Sequence, residues 1–237
     1  MFGQSSVKLS EKLSYEAISS NNLPLVDILE YVRKAKKKIK VFNASSAEIF
    51  GKFGKKRCDE NSNFDPQSFY ALSKLISLKI MQSYRQQFKI WSSNGIMFNH
   101  ESTLRNNKFI IKKIITSVKK IHEKKQKKLI VGDINISRDW GWAAEYVKAM
   151  WMILNYKKPD DFIIATGKNN KLKNIIKKVF SYYGLNYLKY VVQSKKYFRR
   201  NEVRITQADI SKAKKLINWK PKIDIDLLLK KMIKNEI

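Results

Sequence analysis

Apolar residues along the chain fall into short dense runs and into longer stretches where they recur every three or four positions. The run IKVFNA at 39–44 reads as a buried strand, and IWSSNGIMF at 90–98 predicts a second one. Between them, residues 68–88 keep a helical spacing. The alternation continues with a helix over about 107–124, a strand at 128–131 and a helix over about 141–155. A strand at 161–165 ends at Thr166-Gly167, a helix follows to about 183, and two more helices are predicted near 208–216 and 224–235. Strands and helices alternating in this way predict an α/β fold around a parallel sheet. No internal repeat or low-complexity linker interrupts it, and four Pro and eight Gly leave little punctuation.

Composition narrows the class. The 237 residues are 43% hydrophobic and include five Trp, eleven Tyr and twelve Phe, which can bury a core and is not the make-up of a disordered chain. Cys58 is the only cysteine, which excludes a disulfide scaffold. No run approaches the roughly 18 apolar residues of a membrane span, and the N-terminal residues lack a signal peptide's apolar stretch. A cytoplasmic protein with no membrane partner is therefore expected. With 49 Lys+Arg against 20 Asp+Glu the net charge is +29, which attracts polyanions at low salt. Only eight of those basic residues are Arg, however, and the lysines are scattered in pairs such as Lys112-Lys113, Lys177-Lys178 and Lys230-Lys231. That distribution reads as solvated helix faces, and a dedicated nucleic-acid partner is not expected.

A parallel α/β sheet raises the question of a nucleotide, whose usual sign is a glycine-rich turn after the first strand. None is present; Gly51 and Gly54 lack a third glycine, open no clear helix and read as a loop. Chemistry concentrates at two other places. Tyr70-Ala-Leu-Ser-Lys74 sets a phenol and an ammonium at i and i+4 on one helix face, where the cation favours the phenolate and moves Tyr70 toward use as a base. The spacing alone is weak: among eleven Tyr in so lysine-rich a chain, about two such pairs arise by chance. A surface Lys beside a half-buried Tyr would have the same spacing. The second place is Ala44-Ser45-Ser46-Ala47-Glu48, directly after the first predicted strand. Ligands gather at the carboxyl ends of parallel strands, which sets Ser46 and Glu48 facing a site, although a turn and a solvated carboxylate read the same way. The two places together supply a hydroxyl, a carboxylate and a phenol suited to proton and hydride chemistry on a sugar.

This constellation resembles the active-site pattern of the extended short-chain dehydrogenases/reductases, and more narrowly the chain is similar to the GDP-mannose 4,6-dehydratase family. The similar stretches are ASSAEIFGK (44–52), FYALSK (69–74), NGIMFNHES (94–102), SRDWGWAAEYVKAMWMIL (137–154), DDFIIATG (160–167), YFRRNE (197–202) and KAKKLINWKP (212–221). RDWG and NHES are the specific ones and separate this family from the sugar-nucleotide epimerases. The resemblance implies a partial Rossmann-type parallel sheet with a smaller C-terminal substrate-binding domain. Residues 1–98 would be the C-terminal part of the NADP-binding domain, and 99–237 mainly the GDP-sugar domain, with some segments returning to the first.

The implied activity converts GDP-mannose to GDP-4-keto-6-deoxymannose and water through transient oxidation by NADP. In it Tyr70 deprotonates the sugar 4-hydroxyl, while Lys74 holds the nicotinamide ribose and lowers the tyrosine pKa. Glu48 removes the C5 proton, and Ser46, where the family usually has Thr, polarises the keto oxygen. His100 and Arg105 fall on NADP-contacting positions. Asn99, Lys113, Arg138, Arg199 and Glu202 fall on positions that hold the GDP part, and no metal is implied. Taken without the motifs, His100 reads as a hydrogen-bonded core histidine, Arg138 as a partner of Asp139, and Arg199 with Glu202 as a surface ion pair. Trp140, Trp142 and Trp151 read as core, and His122 as exposed.

The chain also departs from the family pattern. It starts at Phe2-Gly3-Gln4-Ser5, similar to the end of the family's fourth strand, so that roughly the first half of the Rossmann sheet and its glycine-rich turn are expected to be absent. The chain then reads as a fragment, as a split-gene half that needs a separate N-terminal half as partner, or as a degraded copy; in each case the isolated chain is expected to be inactive, with a sheet edge and an apolar face uncovered. Phe69 stands where Pro is common, and Leu104 and Asn106 alter a loop through which the family's subunits share NADP sites, which leaves a homo-oligomer open. Two readings compete with a dehydratase polypeptide: a GDP-sugar-binding module or related epimerase, and a basic nucleic-acid binder.

Overall fold

The structure is a computed structural model that describes residues 3–35, 37–55, 57–198 and 203–234. In chain order its first elements are α1 (Val7–Ser10), α2 (Ser14–Lys34), β1 (Val41–Ser46), a 3-10 segment (Ala47–Lys55), β2 (Arg57–Cys58) and α3 (Phe69–Phe88). Next come β3 (Ser92–Met97), β4 (Asn99–Glu101), α4 (Ile110–His122), β5 (Leu129–Val131), β6 (Ser137–Trp142) and α5 (Ala143–Leu154). The chain continues through β7 (Asp161–Ile164), β8 (Asn169–Lys171), α6 (Leu172–Tyr182), α7 (Tyr187–Tyr190) and β9 (Val191–Gln193). It ends with β10 (Gln207–Ala208), α8 (Ser211–Ile217) and α9 (Ile225–Lys234).

The central sheet is parallel, in the order β1-β3-β7. Alternate residues of its strands point to opposite faces. On one face Ile96 and Ile163 pack with Leu78 of α3; on the other Met97, Phe162 and Ile164 pack with Tyr146, Ala149 and Ile153 of α5 and with Ala213 and Ile217 of α8. Its register is pinned by a polar row, since Asn43 lies beside Asn94 and Asn94 beside Asp161. Asn43 Nδ2 donates to Asn94 Oδ1 at 2.8 Å, and Asn94 Nδ2 donates to Asp161 Oδ1 at 2.7 Å. From α3, Arg85 adds two bonds to the Asp161 carboxylate at 2.9 and 3.0 Å, and Gln82 a third at 2.6 Å. A one-residue slip would break the whole row.

A second core lies under α4, α6 and α9. It is built from residues such as Ile111, Ile114, Ile115, Ile176, Phe180 and Leu228, together with Trp140 of β6. Smaller sheets serve it: β4-β6-β8, in which β4 and β6 are parallel, and the parallel pair β5-β9. Among the described residues no helix is long and apolar enough to cross a membrane.

The α/β alternation expected from the pattern is present; besides several short elements that were not predicted, such as α1, α7 and β9, three differences matter. Residues 14–34 form a helix where none was predicted, although Pro24 lies inside it. Proline removes a helix hydrogen bond, and the Ser-Ser-Asn-Asn preceding it reads as turn chemistry. Here Ser19, Asn21 and Asn22 each bond a carbonyl four residues back at 2.8 Å, and Asn22 Oδ1 accepts the Ser77 hydroxyl of α3 at 2.8 Å. Packing on α3 holds this helix. The second difference is that β6 and β8 precede helices whose periodicity had dominated the reading. The third corrects the placing of Trp151 in the core: it is 65% exposed, and Val147 one turn earlier is exposed with it, because α5 turns Tyr146, Ala149 and Ile153 to the sheet. Trp140 is buried and Trp142 partly so, and His122 is exposed with its ring tilted against Tyr183, centroids 5.3 Å apart.

Candidate active site

β1 runs two residues past the predicted strand, so Ser46 is its last residue and Glu48 lies in the 3-10 segment beyond it. That segment kinks at Gly51, whose φ is +51°; a Cβ there would lie 1.7 Å from the Asp65 carbonyl oxygen. Only glycine allows this bend. The start of α3 is fixed twice. Ser68 Oγ accepts the Ala71 N–H at 3.1 Å as an N-cap, and Ser10 Oγ of α1 accepts the Tyr70 N–H at 3.1 Å. Tyr70 and Lys74 therefore stand at a firmly placed helix end beside the carboxyl end of β1. Lys74 Nζ donates to the Ala44 carbonyl at 3.2 Å, and Ser45 Oγ donates to the Lys74 carbonyl at 3.1 Å.

The Ser46 hydroxyl hydrogen-bonds to the Tyr70 phenol, and the charges of Glu48 and Arg105 both reach that phenol. Burial pushes the Tyr70 pKa up, the Ser46 bond pulls it down, Glu48 raises it and Arg105 lowers it, with burial winning. This reverses the shift expected from Lys74. Its Nζ lies 5.9 Å over the Tyr70 ring and is turned to the Ala44 carbonyl, while burial holds its own pKa below the usual lysine range.

His100 Nδ1 lies 2.9 Å from the Phe98 carbonyl, which assigns the proton to Nδ1 and leaves Nε2 as acceptor. Burial lowers its pKa, and its ring lies tilted against that of Tyr146, centroids 5.1 Å apart. Without the surrounding chemistry this is the hydrogen-bonded core histidine that the sequence also allowed. Asn99 is exposed on β4, and its carbonyl accepts the Tyr146 hydroxyl at 3.4 Å. Arg138 is 4% exposed and donates to the Ser137 carbonyl at 3.0 Å. Asp139 beside it turns instead to Thr166 and Gly167, accepting their N–H groups at 2.9 and 2.6 Å and the Thr166 hydroxyl at 2.7 Å. Lys113 Nζ donates to the Ile130 carbonyl at 2.7 Å and lies 4.6 Å over the Tyr197 ring. Arg199 and Glu202 lie outside the described residues.

The structure thus gathers Ser46, Glu48, Tyr70, Lys74, His100 and Arg105 into one cluster of contacts and fields. Asn99 and Arg138 sit on the paired strands β4 and β6, and Lys113 faces β5 and Tyr197. A groove of about 680 Å³ between α6 and α9, lined by Lys177, Lys178 and Lys230, has no part in this cluster. Three contributors escaped the sequence reading. Ser10 carries no motif, Ser45 stands in the ASSAEIFGK stretch without a role of its own, and Asp139 reads from sequence only as a partner of its neighbour Arg138. A nicotinamide dinucleotide fits the cluster in part: Lys74 and His100 suit ribose and amide oxygens, and the buried Arg105 Nε lacks a hydrogen-bond partner. A glycine-rich cradle for the pyrophosphate is not in this sequence.

A parallel sheet with a Ser, Tyr and Lys cluster at its strand ends defines a Rossmann-type α/β protein of the short-chain dehydrogenase/reductase kind. Solved structures agree on the fold. RMD from Pseudomonas aeruginosa complexed with NADPH superposes with a TM-score of 0.89 at 20% identity, over 99% of this chain and 79% of that one. A dTDP-glucose 4,6-dehydratase from Bacillus anthracis in complex with NAD gives 0.81 at 20% identity, over 98% and 76%. The chain belongs to the GDP-mannose 4,6 dehydratase family, whose family model matches residues 1–232. It is 39% identical to GDP-mannose 4,6 dehydratase 1 of Arabidopsis thaliana over 199 residues, 84% of this chain and 55% of that protein. It is 33% identical to the Drosophila melanogaster GDP-mannose 4,6 dehydratase over 253 aligned residues, 99% of this chain and 64% of that protein. The chain therefore spans between half and two thirds of the length of these relatives.

Proposed function

We propose that this chain carries the catalytic and sugar-nucleotide side of a GDP-mannose 4,6-dehydratase, forming GDP-4-keto-6-deoxymannose and water with NADP as cofactor. The observation that carries this reading is the meeting of Ser46, Tyr70 and Lys74 at the carboxyl end of β1. Family membership supports the substrate, and the NADPH and NAD of the two structural relatives support a nicotinamide dinucleotide. When bound, that cofactor supplies a transient oxidant for the sugar 4-hydroxyl and the reductant returned at C6. Tyr70 takes the proton of the 4-hydroxyl, and the Ser46 hydroxyl steadies the oxygen. Glu48 takes the C5 proton, which the adjacent keto group has made acidic. Lys74 exchanges the Ala44 carbonyl for ribose hydroxyls, and its ammonium then favours the Tyr70 phenolate.

His100 and Arg105 serve the cofactor, and Asn99, Lys113, Arg138, Arg199 and Glu202 serve the GDP moiety. Residues 1–98 form the cofactor side and 99–237 mainly the GDP-sugar side. The pyrophosphate cradle is not among these residues, and the working assembly is a cytoplasmic homo-oligomer. Exposed Leu23, Ile28 and Tyr31 on α2 support a second copy docking there.

The test is incubation with GDP-mannose and NADP⁺, with and without a polypeptide carrying the glycine-rich turn, while the deoxy-keto product is followed by mass spectrometry. Turnover with that polypeptide present, reduced about 10²–10⁴-fold by Tyr70→Phe, is expected. Turnover indifferent to Tyr70→Phe would sink the assignment. GDP-mannose binding with no turnover in any mixture would favour the binding-module reading.

A further inference from the structure

Glu101 is the last residue of β4 and is 3% exposed, yet its only ion pair among the described residues is with Arg105, Nε to Oε2 at 3.4 Å. The approach lacks hydrogen-bond geometry, so Glu101 Oε2 and Arg105 Nε are both buried polar atoms without a hydrogen-bond partner among the described residues. A buried carboxylate left so poorly satisfied is costly and calls for a reason. The two residues differ in how they are held. Glu101 sits in a strand, paired with Trp142 of β6, and cannot move far. Arg105 lies in the loop between β4 and α4, next to Leu104, which is 94% exposed. Beneath its guanidinium the Phe109 ring lies 3.4 Å away at the centroid, a cation–π seat on the side chain's flat face. A carboxylate at Nε and a ring below leave the terminal nitrogens as the part of the fork directed elsewhere, and the Arg105 charge reaches both Tyr70 and His100.

We propose that Glu101 is a positioning residue: its buried carboxylate, with the Phe109 ring, locks the Arg105 guanidinium at the edge of the Tyr70–His100 cluster, ready for a cofactor phosphate. This rests on the nicotinamide-cofactor reading above. A loop arginine without such a lock would spend most of its time in other rotamers, and binding would have to order it. The charged group acting on Glu101 is Arg105, and Lys112 of α4 is turned to the Thr103 carbonyl at 3.1 Å. Tyr70 and His100 are the titratable groups that feel Arg105.

Two measurements on the full chain test this, one of which needs no cofactor. In ¹⁵N-labelled protein the Arg105 Nε–H resonance, identified by its loss in Arg105→Lys, should be shifted from those of exposed arginines. It should titrate with a midpoint of about 7, where burial places the Glu101 carboxyl, and lose that titration in Glu101→Gln. In NADPH fluorescence titrations with the polypeptide that carries the glycine-rich turn present, Glu101→Gln should weaken binding about tenfold, Glu101→Asp less, and Arg105→Ala at least as much as Glu101→Gln. The double variant should be no worse than Arg105→Ala. Should Glu101→Gln fail to fold, Phe109→Leu replaces it and should weaken NADPH binding several-fold. An Arg105 resonance indifferent to pH and to Glu101→Gln overturns the proposal whether or not NADPH binds. Unchanged NADPH affinity in Glu101→Gln overturns the positioning role. A coupled resonance in a chain that binds no NADPH even beside that polypeptide overturns the cofactor reading and, with it, the phosphate role of the lock.

Discussion

The sheet of β1, β3 and β7 is crossed by Asn43, Asn94 and Asp161 and tied to α3 through Arg85 and Gln82, whereas the core under α4, α6 and α9 is lined by Ile, Leu, Val and Phe. Both regions bury large side chains, but they specify structure differently. Apolar contacts are non-directional and tolerate small sliding, while a buried polar row is satisfied in one register and costly in any other. The cluster of Ser46, Tyr70 and Lys74 stands on the region with the polar row. Its distances depend on where β1 ends relative to α3, and the row fixes that. The aliphatic region lies beneath the Lys113 side, where long flexible side chains do the contacting.

The comparison is broken most severely by Arg85→Ala. It leaves the Asp161 carboxylate buried without its cation and should cost about 3–5 kcal/mol in urea unfolding. Burial alone would raise the Asp161 pKa, but Arg85, Gln82 and Asn94 bring it below the usual carboxylate range. Its contribution to stability is therefore present above the unfolded value near ~3.9 and lost as the pH falls through the folded one. Acid unfolding of the unmodified chain should start in this sheet, as followed by amide exchange on β3 and β7.

Glu101 sharpens the comparison with the opposite sign. Its pKa is raised from 4.5 to about 7 by burial, so the folded chain keeps a proton that the unfolded chain has released. Stability should fall as the pH rises from about 4.5 to 7, by on the order of 3 kcal/mol, and Glu101→Gln should flatten that slope. Unfolding midpoints measured across this range decide it; a slope unchanged in Glu101→Gln would assign the effect to another group. In the aliphatic region, Ile176→Val should cost about 0.5–1.5 kcal/mol with no change in pH dependence. The smallest effect is expected from Trp151→Ser, within about 0.5 kcal/mol, because that ring lies on the outer face of α5. A loss of several kcal/mol there would mean that α5 is covered in solution.

Much of this architecture was legible along the chain. Dense apolar runs marked β1, β3 and β7 because helices cover the sheet on both faces, a period of 3.6 marked α3, α4, α6 and α9 because each buries one stripe, and their ends moved by only a few residues. Ser46, Tyr70 and Lys74 were legible as a site because a strand end followed by a helix converts their spacing into proximity. Other features resisted for physical reasons. Pro24 and the Ser-Asn run before it signal a break, and only contact with α3, through Ser77, makes a helix there. Trp151 has the hydrophobicity of a core residue and sits on the wrong side of its helix.

Residue order and periodicity by themselves determined the α/β class, the succession of main elements and the identity of the groups that could do chemistry. Tertiary structure alone decided what those groups experience. Lys74 turned to a backbone carbonyl, Tyr70 became harder rather than easier to ionise, Asp139 left its neighbour for Thr166, and a glutamate in NHES became the buried partner of a loop arginine. Burial and hydrogen-bond direction depend on elements distant in sequence, and no local pattern encodes them.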